Sequence, residues 1–304
     1  MAFLSASTTS TTAAVIALLL ILHLHGCSTQ SIPNSDVDLL EFPLNLEYLE
    51  AEFFTYGAFG GGVETSAPNL TMGGPPSVGG RKACLTPLIR DIIAQFALQE
   101  FGHLRAIQKT VKGFPRPLID ISVDSFATVI NNAFGQPLVP PFDPYANDIN
   151  YLIASYIIPY VGLTGYVGAN PNLQSPTAKR VIAGLLGLEA GQDAVLRALL
   201  YERAFVKVWP YPYTVAEFTY RISNLRNQLG KDGLKDEGLV VVPEVGAEGR
   251  ASGNVLAADQ DSLSYGRTPE EILRIVYGTG SESVAGGFFP RGASGRIAGS
   301  YLQL

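Results

Sequence analysis

Four long segments place apolar residues three and four apart, the spacing that lays a stripe along one side of an α-helix, and this restricts the fold more than any other feature. The first runs from about Pro43 to Ala58, with Leu46, Leu49, Phe53 and Phe54 on one side. The second runs from about Pro87 to Val111 through Ile89, Ile92, Ile93, Phe96, Leu104 and Ile107. The third, about Asn147 to Val167, is apolar nearly all round and is interrupted by Pro159, Gly162 and Gly165. The fourth, about Thr177 to Trp209, carries Ile182, Leu185, Leu186, Leu196, Leu199 and Leu200. No strongly alternating strand precedes residue 210. Long striped helices bury their stripes against one another, so an all-α four-helix bundle is expected over residues 30–210.

The Pro-rich stretch from Lys112 to Pro144, with a short helix expected at Ser125–Phe134, is long for a link between antiparallel neighbours. It suits a bundle whose second and third helices run parallel. After Trp209 the pattern changes to a helix at about Thr214–Leu229, a short apolar run at Leu239–Val242, a capped helix at Thr268–Tyr277 opening with Thr-Pro-Glu-Glu, and a Gly-rich end from Gly286 to Gly299. With little apolar mass of its own, 211–304 reads as a C-terminal extension of mixed structure packed on the bundle.

Ala13 to Leu22 is an unbroken apolar run of the length of a signal-peptide core, followed by small or polar residues at Gly26, Cys27 and Ser28. Residues 1–29 are therefore expected to be a secretory signal, although its first region has no Lys or Arg. Its removal leaves Cys84 as the one cysteine and His103 as the one histidine, which excludes an intramolecular disulfide and any chemistry needing two imidazoles. No later segment holds ~18 unbroken apolar residues, so no integral membrane segment is expected in the mature chain. Asn69-Leu-Thr is a glycosylation sequon in a Gly/Pro-rich stretch expected to be an exposed loop. A formal charge of −6 offers no basic footprint and argues against nucleic acid as a partner.

Chemistry is expected where carboxylates interrupt the apolar stripes. Glu100 and His103 lie three apart on the face carrying Ile93, Phe96 and Ile107; Glu189 and Gln192 repeat that spacing in the fourth segment; Glu47 lies between Leu46 and Leu49 in the first. An inward carboxylate needs a cation, a proton or a hydrogen-bond network. Ferritin-like bundles have this layout, with two helices each giving a Glu and two others each giving Glu-x-x-His around two metal ions. Here Glu47 takes the place of the lone helix-one carboxylate, Glu100-Phe-Gly-His103 is an intact motif, and Glu189-Ala-Gly-Gln192 has Gln in place of His. The third segment has no Asp, Glu or His between Tyr156 and Val167. A metal-free hydrogen-bond network among the same residues remains the alternative.

The runs Leu44-Asn-Leu-Glu-Tyr-Leu-Glu-Ala-Glu-Phe-Phe, Pro159-Tyr-Val-Gly-Leu-Thr-Gly-Tyr-Val-Gly-Ala-Asn-Pro171, Glu189-Ala-Gly-Gln-Asp-Ala-Val, Asp236-Glu-Gly-Leu-Val-Val and Arg267-Thr-Pro-Glu-Glu-Ile-Leu-Arg-Ile-Val-Tyr-Gly-Thr-Gly resemble the desiccation-related proteins of plants, of the PCC13-62 type. The resemblance spans essentially the whole mature chain. It implies a ferritin-like domain in a protein secreted to the apoplast or cell wall, accumulating with water deficit or in particular tissues.

Counting ligands then weighs enzyme against non-enzyme. A two-metal oxidase needs bridging carboxylates and an imidazole on each side. Three carboxylates and one imidazole can be assigned, which leaves a single Fe, Mn or Zn ion on Glu47, Glu100, His103 and Glu189, or an empty bundle acting as a scaffold. The expected function is a secreted stress-related protein, non-enzymatic or binding at most one metal, with cell-wall or self-association partners open. The competing expectation is a metal-dependent oxidoreductase or peroxide-scavenging enzyme on the residual site. A Cys84–His103 hydrolase is excluded, since the intervening ~19 residues span roughly 28 Å of helix. The Gly-rich stretches lack the lysine of a phosphate loop.

Overall fold

Most of the helices start where a Pro or a small polar residue fits at or just before the first turn. The computed structural model describes residues 32–302, so the secretory signal expected at 1–29 lies outside the described residues. Those residues form helices at Asn34–Glu41 (α1), Leu44–Phe59 (α2), Val63–Ser66 (α3), Pro87–Thr110 (α4), Val123–Phe134 (α5), Asp148–Ile157 (α6), Pro159–Ala169 (α7), Pro176–Tyr201 (α8), Val215–Gly230 (α9), Pro269–Tyr277 (α10) and Arg296–Tyr301 (α11). α4, α8 and α10 each carry Pro in the first turn, where the missing N–H costs nothing. Ser175 caps α8 through the backbone N–H groups of Thr177 and Ala178, and α9 and α10 open with capping boxes, Thr214 with Glu217 and Thr268 with Glu271. Among the described residues no strand forms, and the tail holds isolated bridges such as Val240 with Gly253.

The bundle is α2, α4, the α6–α7 pair and α8. α2 packs along α4, α6 and α7 pack along α8, and the two pairs meet where α2 touches α7 and α4 touches α8. Asp148, in the first turn of α6, accepts from the backbone N–H (2.8 Å) and hydroxyl (2.6 Å) of Thr86, the cap of α4. The second and third bundle helices thus start at the same end and run parallel. At the other end both carboxylate oxygens of Asp36 in α1 receive the backbone N–H of Gln174 (3.1 Å), and one also takes that of Ser175 at 2.6 Å. This satisfies donors that the start of α8 leaves open.

Three sequence expectations need correction. The third segment is two helices, because Pro159 lacks the N–H that would bond the Ser155 carbonyl; Ile158 takes that carbonyl instead at 3.2 Å. The fourth helix ends at Tyr201 rather than near Trp209, where the chain folds back and Lys207 bridges Thr214. The first segment, read as one-sided, is buried all round from Leu44 to Thr55. Its outer face is covered by loop and tail: Tyr48 donates to the Leu70 carbonyl (2.9 Å), and Asn45 exchanges hydrogen bonds with the backbone of Ser294 (2.9 and 2.7 Å).

The stretch Asp148–Asn172 is apolar and long enough to cross a membrane by composition, yet 72% of its most apolar window is buried inside the protein. It is the third member of the bundle. Its Tyr151 stacks on Phe53 of α2 with ring centroids 4.6 Å apart and donates its hydroxyl to the Phe53 carbonyl at 2.8 Å. The tail is fastened by Arg197 of α8, fully buried, which donates to the carbonyls of Val255 (2.6 Å), Asn254 (2.7 Å) and Glu237 (3.2 Å).

Candidate metal centre

Three bundle helices each carry two polar side chains one turn apart, at positions i and i+3, so both members of a pair point the same way. α2 contributes Glu47 and Glu50, α4 contributes Glu100 and His103, and α8 contributes Glu189 and Gln192, all of them buried. The structure brings together the residues singled out from the sequence. Glu47, Glu100, His103 and Glu189 each place one ligand atom so that the four atoms lie within 4.8 Å of one another. His103 Nδ1 stands 3.1 Å from Glu47 Oε2, 3.1 Å from Glu100 Oε2 and 3.1 Å from Glu189 Oε1.

One imidazole nitrogen has one proton to give, so it cannot serve three carboxylates as a hydrogen-bond donor. Convergence of four donors on a point is the geometry of a ligand set, since cations held at about 2.0–2.2 Å place their ligands roughly 3–4 Å apart. Gln192 donates to Glu100 Oε1 at 2.8 Å and to Gln99 Oε1 at 3.1 Å, which turns its own carbonyl oxygen away from any partner. Both oxygens of Glu189 and Oε2 of Glu50 likewise lack a hydrogen bond. Buried oxygens with nothing to accept are costly, and a divalent cation is the group that would satisfy several of them together. The residues present fit such an ion.

Two members of the cluster were missed from the sequence. Glu50 had a signal in the Glu47-x-x-Glu50 spacing, hidden because α2 was read as one-sided. Tyr166 of α7 gives its hydroxyl to Glu47 Oε1 in a short hydrogen bond. A search for carboxylates and imidazoles passes over a phenol, so the third helix does reach the site, through a donor. Gly162, also on α7, faces Glu50: a methyl group there would lie 3.1 Å from Glu50 Oε1. Leu46 and Gly162 further line a small apolar cavity of about 80 Å3 between α2, α7 and the start of α10.

The cluster's charges are set by burial against proximity. Burial pushes Glu100 and Glu50 well above the usual carboxylate range and raises Glu189, and the neighbouring carboxylates add to each rise. Glu47 moves the other way: burial would raise it, but the charge of His103 and hydrogen bonds from His103, Glu100 and Tyr166 hold it low. For His103 burial favours the neutral ring, and the surrounding carboxylates, Glu47 foremost, outweigh it and raise its pKa. Without a metal the charge of the cluster therefore centres on the His103–Glu47 pair, and burial biases Glu50, Glu100 and Glu189 toward their protonated forms.

Asn69 lies exposed, in the short 3₁₀ turn Pro68–Thr71. Cys84 is exposed, ahead of α4, and has no part in the cluster.

A helical bundle with paired carboxylate and imidazole positions on facing helices defines a ferritin-like protein, and residues 35–202 match the ferritin-like domain family; the chain belongs to that family. It is 62% identical over 265 residues to the desiccation-related protein PCC13-62 of Craterostigma plantagineum, across 87% of this chain and 85% of that one. It is 57% identical over 274 residues to ferritin-like catalase Nec2 of Nesocodon mauritianus, across 90% and 88%. No solved structure matches the chain.

Proposed function

We propose that this chain is a secreted, stress-related ferritin-like protein whose buried centre holds a divalent ion, Fe, Mn or Zn, on Glu47, Glu100, His103 and Glu189. The observation that carries the metal is the set of four ligand atoms within 4.8 Å, with both Glu189 oxygens lacking any hydrogen bond. The protective role in water deficit rests on the 62% identity to a desiccation-related protein. Localisation in the apoplast or cell wall rests on the apolar run from Ala13 to Leu22, and a glycan at exposed Asn69 would accompany it.

A second reading, turnover of hydrogen peroxide, is favoured by the 57% identity to a protein named a ferritin-like catalase. A redox-active ion at this centre would supply electron exchange with a small oxidant. The chain's own groups would do the rest: Tyr166 and His103 hold protons beside Glu47, while the walls of α2, α4, α7 and α8 exclude bulk water.

Three measurements decide. Metal analysis of protein purified from its native compartment should find at least one divalent ion per chain, and metal-free protein that also refuses Mn(II), Fe(II) and Zn(II) would end the metal reading. Oxygen release from hydrogen peroxide by the loaded protein, lost in Glu47→Gln, would establish catalysis. A loaded protein without oxygen release leaves the protective role alone. Intact mass of secreted material, starting near residues 27–31 with glycan at Asn69, checks the localisation; a chain starting at Met1 refutes it.

A further inference from the structure

We propose that the cavity between α2 and α7 is the passage by which a small uncharged molecule, of the size of dioxygen or hydrogen peroxide, reaches the buried centre, and that Glu50 is the first polar group it meets there. The proposal deepens the metal reading and rests on it for what lies at the inner end of the passage.

The cluster residues are 0–7% exposed, so whatever exchanges with the centre must cross a wall of the bundle. α7 makes one wall thin. Gly162, Gly165 and Ala169 follow at three- and four-residue spacing, which sets them along one side of the helix. Exposure rises along that line: Gly162 is buried, Gly165 and Ala169 are half-buried, and Asn172 beyond them is exposed. Opposite, Pro43, Leu46 and Glu50 of α2 form a second line, the first two on the cavity and the third one turn further in. A Cβ at Gly162 would lie 3.1 Å from Glu50 Oε1 and 3.9 Å from Leu46 Cδ1, so the space left by the missing side chain joins the cavity to the carboxylate.

Backbone packing demands glycine further out but not at the inner end. At Gly168 a Cβ would strike the Arg267 carbonyl oxygen at 2.2 Å, whereas at Gly162 and Gly165 it would meet the ends of side chains, Glu50 Oε1 and Ile272 Cδ1 (2.6 Å). Glu50 Oε2 has no hydrogen-bond partner and can accept from an entering O–H.

Size and lining select the occupant. From Gly162 to Ala169 the passage runs about 10 Å along the helix. Its volume of about 80 Å3 takes roughly five to eight water-sized molecules, where most interior voids hold none. Apart from Arg267, whose guanidinium turns to Asn227 of α9 (3.3 Å), no charged side chain lines it among the described residues, so an ion would cross at high cost.

The test uses full-length protein and two probes, xenon and nitric oxide. Xenon-pressurised crystals of chelator-stripped protein should show xenon beside Leu46 and Gly165, and Gly165→Leu, whose side chain fills the cavity, should lose it. In Fe(II)-loaded protein the association rate of nitric oxide, followed by absorbance, should fall roughly tenfold or more in Gly165→Leu, fall less in Gly162→Ala and rise in Leu46→Ala. Gly102→Ala, a matched change on α4 whose Cβ meets nothing within 4 Å, should leave the rate unchanged. If Gly165→Leu does not fold, Gly162→Ala and Leu46→Ala carry the decision, because they move the rate in opposite directions. Iron-loaded protein with no xenon in the cavity, or with nitric oxide rates indifferent to these changes, overturns the proposal alone. Protein that takes up no Fe(II) overturns the metal reading and this proposal with it.

Discussion

Replacing His103 by Ala in metal-free protein tests the electrostatics of the centre most directly. The imidazolium is the counter-charge for Glu47, which is 2% exposed, and no other cation stands among the cluster's hydrogen-bond partners. An unpaired buried carboxylate takes up a proton instead of staying charged. Relative to an ordinary value of 4.5, holding that proton costs about 3.4 kcal/mol at pH 7 and about 1 kcal/mol at pH 5. The lost stabilisation by His103 itself runs the other way with pH. Its folded pKa is raised above 6.5, so its contribution is full below pH 6.5 and has fallen by about 1 kcal/mol at pH 7. The pH-dependent part of the His103→Ala deficit is thus about 2.5 kcal/mol at pH 7 against about 1 kcal/mol at pH 5, on top of losses of packing and of the charge pair that pH does not change. At roughly 2 °C or more per kcal/mol, the gap in melting midpoint between variant and wild type should widen by at least about 3 °C from pH 5 to pH 7. Scanning calorimetry in chelator at both pH values measures it. A gap that stays constant or narrows as pH rises would refute the assignment of His103 as the charged partner.

Arg116→Met leaves Glu52, fully buried and paired to that guanidinium, without its cation, and should cost about 3–5 kcal/mol in denaturant unfolding; the double variant Glu52→Gln/Arg116→Met should recover most of the loss. Burial pushes the Asp193 carboxyl up to about 6 in spite of nearby Arg197, so the stability it brings is present at low pH and is lost as pH rises from about 4 to 6. Asp193→Asn is therefore expected to stabilise the protein by up to about 3 kcal/mol at pH 7 and by nothing at pH 4, and equal effects at both would disprove it. Gly57→Ala puts a methyl carbon 2.1 Å from the Tyr151 hydroxyl, so α2 and α6 must part and the bond to the Phe53 carbonyl breaks. A loss of at least about 2 kcal/mol is expected, and an unchanged melting midpoint would show that this contact can yield.

What the amino-acid order determined by itself was local and periodic. The 3.6-residue stripes of Pro87–Thr110 and Pro176–Tyr201, and the caps at Thr214 and Thr268, depend on residues within a few positions of one another, so they are legible along the chain. The Glu100–His103 and Glu189–Gln192 pairs could be read the same way, because one helical turn sets the direction of both members. Tertiary structure alone decided what each stripe faces. The helix from Leu44 to Phe59 hides its outer side under the loop segments at Leu70 and Phe114–Arg116 and the Ser294 backbone, contacts up to 249 residues away that no window on the helix contains. That burial made Glu50 an inward carboxylate next to the cluster, which a one-sided reading of the helix passes over. Tyr166 joined the centre across 119 residues by a hydrogen bond to Glu47, which only the packing of the third bundle helix against the first could bring about.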